Sequence, residues 1–305
     1  MTSFLRRIAA FGLVLLLAAG ASWGANVGLS QFHNLSLSPD VDVLFVGDSH
    51  IAYAVDPEYV PGARNVALRA EPMSASRYKV EGILDGNPDV RTVVLGFGAH
   101  NLTVFNELEF THPNFARSMA DRYVGFLPWR GPAGSPFQLS AALLNQARWF
   151  WTPNPHLLGD LVFAGDPSRH HAFAGSYLVM PGGSNFTEPR WRSVDRHLTP
   201  DADGRLISEV QIREIRALST SLAERGVRLV LLSTPVRPRV TAALEGPLRD
   251  RYDLLWDELT ALPHVDGWDL SEFLPGPEGF ADFDHLSADG AHRLSVELDR
   301  RLRGQ

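Results

Sequence analysis

Cysteine is absent from the 305-residue chain. Without it there is no disulfide framework, no thiol nucleophile, no thiolate metal site and no lipid-modified N-terminal cysteine. An excess of positive charge is also missing. The 28 Lys+Arg against 35 Asp+Glu give a formal charge of −7, so no broad basic surface for nucleic acid is expected. Compositional bias is missing as well. With 45% hydrophobic, 21% charged and 10% aromatic residues, 26 Gly and 21 Pro, the chain is globular, not collagen-like or disordered. There is no internal repeat. Beyond the N-terminus, no apolar segment is long enough to span a bilayer.

What is present begins with an export pattern. Arg6 and Arg7 precede an uncharged stretch from Ile8 to about Leu29. A basic pair before an apolar run keeps its charges on the cytoplasmic side while the run enters the bilayer. Residues 1–29 therefore read as a signal peptide or an N-terminal membrane anchor. Ala19-Gly20-Ala21 suits cleavage, while the length also suits a span. Both outcomes place the remainder outside the cytoplasm, secreted or anchored by one helix.

From Asp42 onward, short apolar runs end at turn residues and alternate with amphipathic stretches. Val43–Val46, Asn65–Leu68, Thr92–Leu95 and Arg228–Ser233 read as strands, and helices are expected at about Met73–Leu84, Ser208–Arg225, Val240–Leu262 and Ala288–Arg303. Continuous apolar runs suit strands buried on both faces. The expectation is a three-layer α/β/α domain over 30–305 with a mainly parallel sheet of about five strands, whose sites lie beyond the strands' carboxyl ends. Residues of about 101–204 break the rhythm. They are rich in Phe, Trp, Pro and Gly, carry one apolar helix near Leu139–Trp151, and read as an insertion between the third and fourth strands. Its aromatics suit either a cap on the sheet edge or a groove for a sugar chain.

The chemistry sits at the strand ends. A strand runs into Gly47-Asp48-Ser49-His50, placing the Ser49 hydroxyl where a helix begins and N–H groups lack acceptors. A serine needs a base. His285 can take the proton and Asp282, three residues earlier, can hold the imidazole tautomer, which is the division of labour of a Ser-His-Asp triad. Asp284, adjacent to His285, is expected to point elsewhere. By composition alone, Gly47-Asp48-Ser49 also suits a surface turn, and Ser287 or Asp289 suits a cap of the last helix.

These two segments resemble the SGNH, or GDSL-like, hydrolase superfamily, over about Asp42–His100 and Val227–Arg303. Gly47-Asp48-Ser49 matches its first block and Asp282-Phe-Asp-His285 its last. The combination of Gly-Asp-Ser-His with Asp-x-x-His-Leu-Ser is similar to periplasmic members that place or remove acyl groups on surface polysaccharides. The resemblance implies Ser49 as nucleophile, His285 and Asp282 as its partners, and an oxyanion site built from the Ser49 N–H, a second-block N–H and a third-block asparagine. The second block departs from the pattern: glycine is absent from Arg64–Glu71, and Ala70 or a neighbour must serve. The third block, Gly96–Asn101, offers Asn101, or His100 instead, without the usual residue order.

His50, His100 and Arg237 are candidates for the substrate rim, and Arg239 accompanies Arg237. No metal or cofactor is expected: His156, His170 and His171 lack the spacing of a metal site, and Asp201-Ala-Asp-Gly204 lacks the downstream ligands of a calcium loop. The sequons at Asn34, Asn101 and Asn185 have no meaning in a bacterial chain, to which scarce lysine beside abundant arginine points. The first expectation is thus an esterase or O-acyltransferase acting on acyl, chiefly acetyl, esters of a surface carbohydrate, with acylated carbohydrate or a small ester as substrate. The alternatives are a non-catalytic carbohydrate-binding or scaffold subunit of a polysaccharide machine, with other subunits as partners, and a lipid esterase or thioesterase.

Overall fold

A computed structural model describes residues 2–34, 37–111, 123, 175–180, 186, 191, 194–274 and 276–304. Strands β1 (Val43–Val46), β2 (Ala63–Asn65), β3 (Thr92–Gly96), β4 (Arg228–Ser233) and β5 (Val265–Asp269) form one sheet in the order β2-β1-β3-β4-β5, with every neighbouring pair parallel. Successive side chains of β1 point to opposite faces and feed two cores. Leu44 and Val46 pack with Met73, Ile83, Ile215 and Leu255, from helices α3 (Met73–Gly86), α5 (Glu209–Glu224) and α7 (Pro247–Thr260). Val43 and Phe45 pack with Ile51 of α2 (Ser49–Ala52) and with Leu294 and Leu298 of α8 (Ala288–Leu302). The chain is therefore a three-layer α/β/α fold, and β1 and β3 are buried along their whole length because helices cover both faces.

Several boundaries differ from the sequence expectation. The second strand begins two residues earlier than expected and ends at Asn65. The expected helix over Val240–Leu262 is two, α6 (Pro238–Ala243) and α7, because Pro247 at the first turn of α7 has no N–H to continue a helix. β5 was not among the strands picked out by pattern, since Val265-Asp-Gly-Trp-Asp269 carries two carboxylates and a glycine. As the edge strand it leaves Asp269 exposed and Asp266 half-buried.

α1 (Thr2–Asn34) carries the apolar stretch Ser3–Gly28, with mean hydropathy 1.9, and it is the one helix among the described residues long and apolar enough to cross a membrane. The two ends of the segment between β3 and α5 are clamped together: Thr103 bridges Ile207, the Val104 N–H donates to Leu206 O (2.9 Å), and the Ser208 N–H donates to Leu102 O (2.8 Å). α4 (Val104–Thr111) follows directly. The expected helix at Leu139–Trp151, the Phe126–Arg130 and Trp149–Trp151 aromatics, the histidines at 156, 170 and 171 and the Asn185 sequon lie outside the described residues.

Three described pieces of this segment dock on the α/β body. Tyr123 reaches Glu71 through its hydroxyl (3.0 Å), the Leu178 N–H donates to Ala52 O (2.7 Å), and Trp191 and Val194 pack with Val240 and Phe283. Glu71 is the hub of a fully buried network. It also accepts the Ser76 hydroxyl (2.6 Å) and pairs with Lys79, the single lysine of the chain, which donates to Val66 O as well. Burial pushes the Glu71 carboxyl up and the Lys79 ammonium down, and their mutual attraction opposes both shifts.

Candidate active site

The sheet order places a topological switch point between β1 and β3, where the chain leaves β1 toward one side and returns on the other. β1 opens there into Gly47, whose φ of +141° is a conformation that favours glycine. Asp48 then caps α2, its Oδ1 accepting the His50 N–H at 2.9 Å. This turn makes Ser49 the first residue of α2. The β2–α3 loop is tied alongside, because the Leu68 N–H donates to Gly47 O at 3.0 Å.

The partner arrives from the other end of the chain. Before α8, the Ala281 N–H donates to His285 O (3.0 Å), and Asp282 Oδ1 accepts the backbone N–H of both Asp284 (3.2 Å) and His285 (2.9 Å). This local brace is the turn-forming habit of aspartate. It is seated by Gly290 of α8, where a Cβ would stand 2.0 Å from Gly279 O, so only glycine lets the helix approach this closely. Ser287 caps α8, accepting the Gly290 N–H at 3.2 Å.

So held, His285 meets Ser49. Its Nε2 lies 2.9 Å from Ser49 Oγ, and its Nδ1 lies 3.0 Å and 3.2 Å from the two oxygens of Asp282. Asp284 does not point elsewhere. Its Oδ1 stands 3.1 Å from the same Nδ1 and its Oδ2 3.4 Å from His50 Nε2. The reason is the bend over residues 281–285, which abolishes the strand-like alternation that would send neighbouring side chains apart. Burial disfavours the imidazolium of His285, yet the charge of Asp284 and the bonds to both carboxylates outweigh it and raise the pKa to about 10. Burial likewise works against the charge of Asp284, but His285 and His50 hold its pKa well below the ordinary value.

A file of imidazoles extends from this pair. Ring centroids of His285 and His50 are 5.3 Å apart, His50 and His100 4.1 Å, His100 and His197 5.7 Å. Burial lowers the pKa of His100, with His50 adding to the effect, and drives His197 down to about 3, so both stay neutral at physiological pH. Asp48 Oδ2 accepts from His100 Nε2 (2.8 Å) and Asn101 Nδ2 (2.9 Å). Despite its burial, Asp48 is kept ionised by His100 and His50. The trios Asp48–His50–His100 and His50–Asp284–His285 each bring metal-type donor atoms within 4.8 Å of one another. Their carboxylates are taken up by imidazole, amide and backbone N–H groups, and His50 Nδ1 makes no hydrogen bond among the described residues. The trios were not apparent in the sequence, which separates His50 from Asp284 by more than two hundred positions.

The remaining expected residues fall nearby to different degrees. Ala70 takes φ +58°, the left-handed conformation for which the loop would ordinarily use glycine. Asn101 is buried, with its amide on Asp48 and its Oδ1 accepting the Gly98 N–H (2.8 Å). His50, His100 and Asn101 line a solvent-open cleft with Ser233, Thr234 and Ser271 at the ends of β3 and β4. Arg237 follows β4 and donates its backbone N–H to Phe283 O (3.1 Å), between the two aspartates of the His285 loop. Asp201 spends its carboxylate on the N–H groups of Asp203 and Arg205 and on the Arg205 side chain, a closed turn.

Sequence reasoning missed Asp284, the bridging position of Asp48, and His197. It also missed Tyr53, whose ring meets His285 edge-on at 5.2 Å. The acid on both sides of Phe283 was the available signal for Asp284.

No family model matches the chain, and no curated protein matches it. Among solved structures, the chain is similar to a Streptococcus pneumonia protein provisionally described as a platelet activating factor, at 13% identity and a TM-score of 0.44, covering 98% of this chain and 99% of that one.

Proposed function

We propose that the chain is an SGNH-type serine esterase or O-acyltransferase, exported or anchored by α1, that acts on acyl esters of a cell-surface carbohydrate, with acetyl as the expected acyl group. The observation that supports it is the run of contacts from Ser49 Oγ to His285 Nε2 (2.9 Å) and from His285 Nδ1 to Asp282 Oδ1 (3.0 Å). A base within hydrogen-bond reach of a hydroxyl, itself oriented by a carboxylate, is the geometry nucleophilic catalysis needs. Ser49 Oγ attacks the acyl carbon as neutral His285 takes its proton at Nε2. The C–O bond to the sugar breaks, and the proton passes to the departing sugar oxygen. The acyl-Ser49 ester then yields to water in hydrolysis or to a second sugar hydroxyl in transfer, with His285 again as base. The oxyanion is assigned to the Ser49 N–H at the start of α2, with Asn101 and the Ala70 N–H as further donors. Asp282 orients the ring. A periplasmic setting follows from the same reading, since surface glycans are modified outside the cytoplasm.

Ser49→Ala tests it. Acetyl release from an acetylated glycan, and labelling by a serine-reactive phosphonate, should both vanish in a variant that melts like the wild type. Turnover retained by that variant sinks the mechanism.

One observation favours a second reading, a carbohydrate-binding scaffold without catalysis. Asn101 Nδ2 already donates to Asp48 and its Oδ1 accepts the Gly98 N–H, which leaves a single amide N–H for an oxyanion. Phosphonate labelling separates the two, because a scaffold leaves Ser49 unmodified.

A further inference from the structure

We infer that Arg237 and Arg239 form a binding shelf for a carboxylate or phosphate group against the loop that carries Asp282, Asp284 and His285, so that the ester taken by this site is carried on an anionic carbohydrate. The inference rests on the esterase or acyltransferase reading above.

Its basis is a pair of cations held in place without carboxylates. The Arg237 guanidinium carbon lies 4.7 Å from the ring centre of Phe186 and 5.9 Å from that of Phe280, and the Arg239 carbon lies 3.8 Å from Trp191 and 5.2 Å from Phe283. The rings brace each other, Phe186 and Trp191 meeting Phe283 edge-on at 5.5 Å and 5.4 Å. A guanidinium lying over a ring keeps N–H groups for other partners, and arginine N–H groups are what receive a carboxylate or phosphate. Neither guanidinium makes an ion pair with a described residue, whereas Arg249, Arg251, Arg300, Arg301 and Arg303 all do. Arg237 Nη1 is, in addition, buried with no hydrogen-bond partner among the described residues. A charged donor left unsatisfied costs free energy that an anion would restore.

Position connects this shelf to the chemistry. The Arg237 backbone N–H is bonded to Phe283 O, and Phe283 stands between Asp282 and Asp284, the two carboxylates on His285. Arg239 stacks near the same Phe283. Phe186 and Trp191, two rings of the aromatic stretch, have guanidinium groups on their faces, so in this proposal they support charge.

The test uses the full-length protein in detergent. Acetyl release is measured from O-acetylated galacturonate oligomers, from an O-acetylated sugar phosphate and from O-acetylated neutral galactan oligomers, for the wild type, Arg237→Gln, Arg237→Lys and Ser49→Ala. The wild type should favour an anionic substrate over the neutral one by about tenfold or more in kcat/KM, the factor expected for a charge-assisted bond. Arg237→Gln should erase most of that ratio through KM, and Arg237→Lys should restore part of it. Which anionic substrate leads identifies carboxylate or phosphate as the group received. An unchanged ratio in Arg237→Gln, or equal turnover of charged and neutral substrates by the wild type, overturns the shelf. Turnover that survives Ser49→Ala while the charge preference persists overturns the mechanism and leaves the shelf standing. If no substrate is turned over, calorimetry of the three ligands with Ser49→Ala decides. Binding of an anionic oligomer that Arg237→Gln abolishes supports the shelf, and no binding, or binding that Arg237→Gln leaves intact, overturns it.

Discussion

Asp284 shares the Nδ1 of His285 with Asp282, its Oδ1 standing 3.1 Å from that nitrogen. Two carboxylates on one imidazole make a strong base that stays protonated through neutral pH, its pKa raised to about 10 against the pull of burial. A base must be neutral to accept the Ser49 proton, so kcat/KM for ester cleavage should climb as pH rises toward that value. Asp284→Asn removes the leading charge behind the rise. Its acidic limb should move to lower pH by about one unit or more, and activity at pH 7 should increase. Asp282→Asn should instead cost about a thousandfold or more, because the ring then loses its orientation and tautomer. Superimposable pH profiles for Asp284→Asn and the wild type would remove Asp284 from this role.

Stability should carry the mark of the same group. The folded-state pKa of His285 lies above its ordinary value of 6.5, so folding favours the proton. That contribution is fully present below pH 6.5 and is lost as pH rises through about 10. Melting temperatures between these limits should fall with pH more steeply for the wild type than for His285→Gln. Parallel curves for the two would contradict the assignment.

Asn101 and His100 both donate to Asp48 Oδ2, at 2.9 Å and 2.8 Å. If Asn101 also serves the oxyanion, Asn101→Ala should lower kcat by about a hundredfold or more with KM little changed. His100→Gln, which retains a donor toward Asp48, should do far less. Equal effects of the two variants would mean that support of Asp48 is all that Asn101 does.

The buried Lys79–Glu71 pair should behave as one unit. Lys79→Met leaves the Glu71 carboxylate with Ser76 and Tyr123 as its remaining partners among the described residues, and it should destabilise by about 3–5 kcal/mol. Adding Glu71→Gln should recover much of that loss, a coupling read by denaturant titration of the double-mutant cycle. Simple additivity would show that the two side chains do not depend on each other.

Local pattern carried a large part of the fold. β1 and β4 fall on the expected residues, and α8 begins at the expected Ser287 cap, because a four- to six-residue apolar run and a capping serine are physical signals contained in a few neighbouring positions. β5 and the break at Gly246-Pro247 were harder, the first because an edge strand need not be apolar, the second because amphipathic spacing continues across the proline. In the site, Ser49, Asp282 and His285 were legible from their chemistry and from their place at strand and helix ends. Asp284 was not, since whether a residue beside a histidine faces it depends on the bend of the chain.

Sequence alone determined the absence of any thiol chemistry, the apolar N-terminal stretch with its arginine pair, the parallel α/β layering and the candidate nucleophile, because each rests on residue type and short-range periodicity. Tertiary structure alone decided that residues 49 and 285 stand 2.9 Å apart, that Asp48 and Asp284 interleave with His50, His100 and His285, and that Arg237 and Arg239 stack on rings from a distant stretch of chain. These are contacts across long loops, set by which strand ends the sheet order brings together and by burial, which decides the ionisation of each group only after its neighbours are in place.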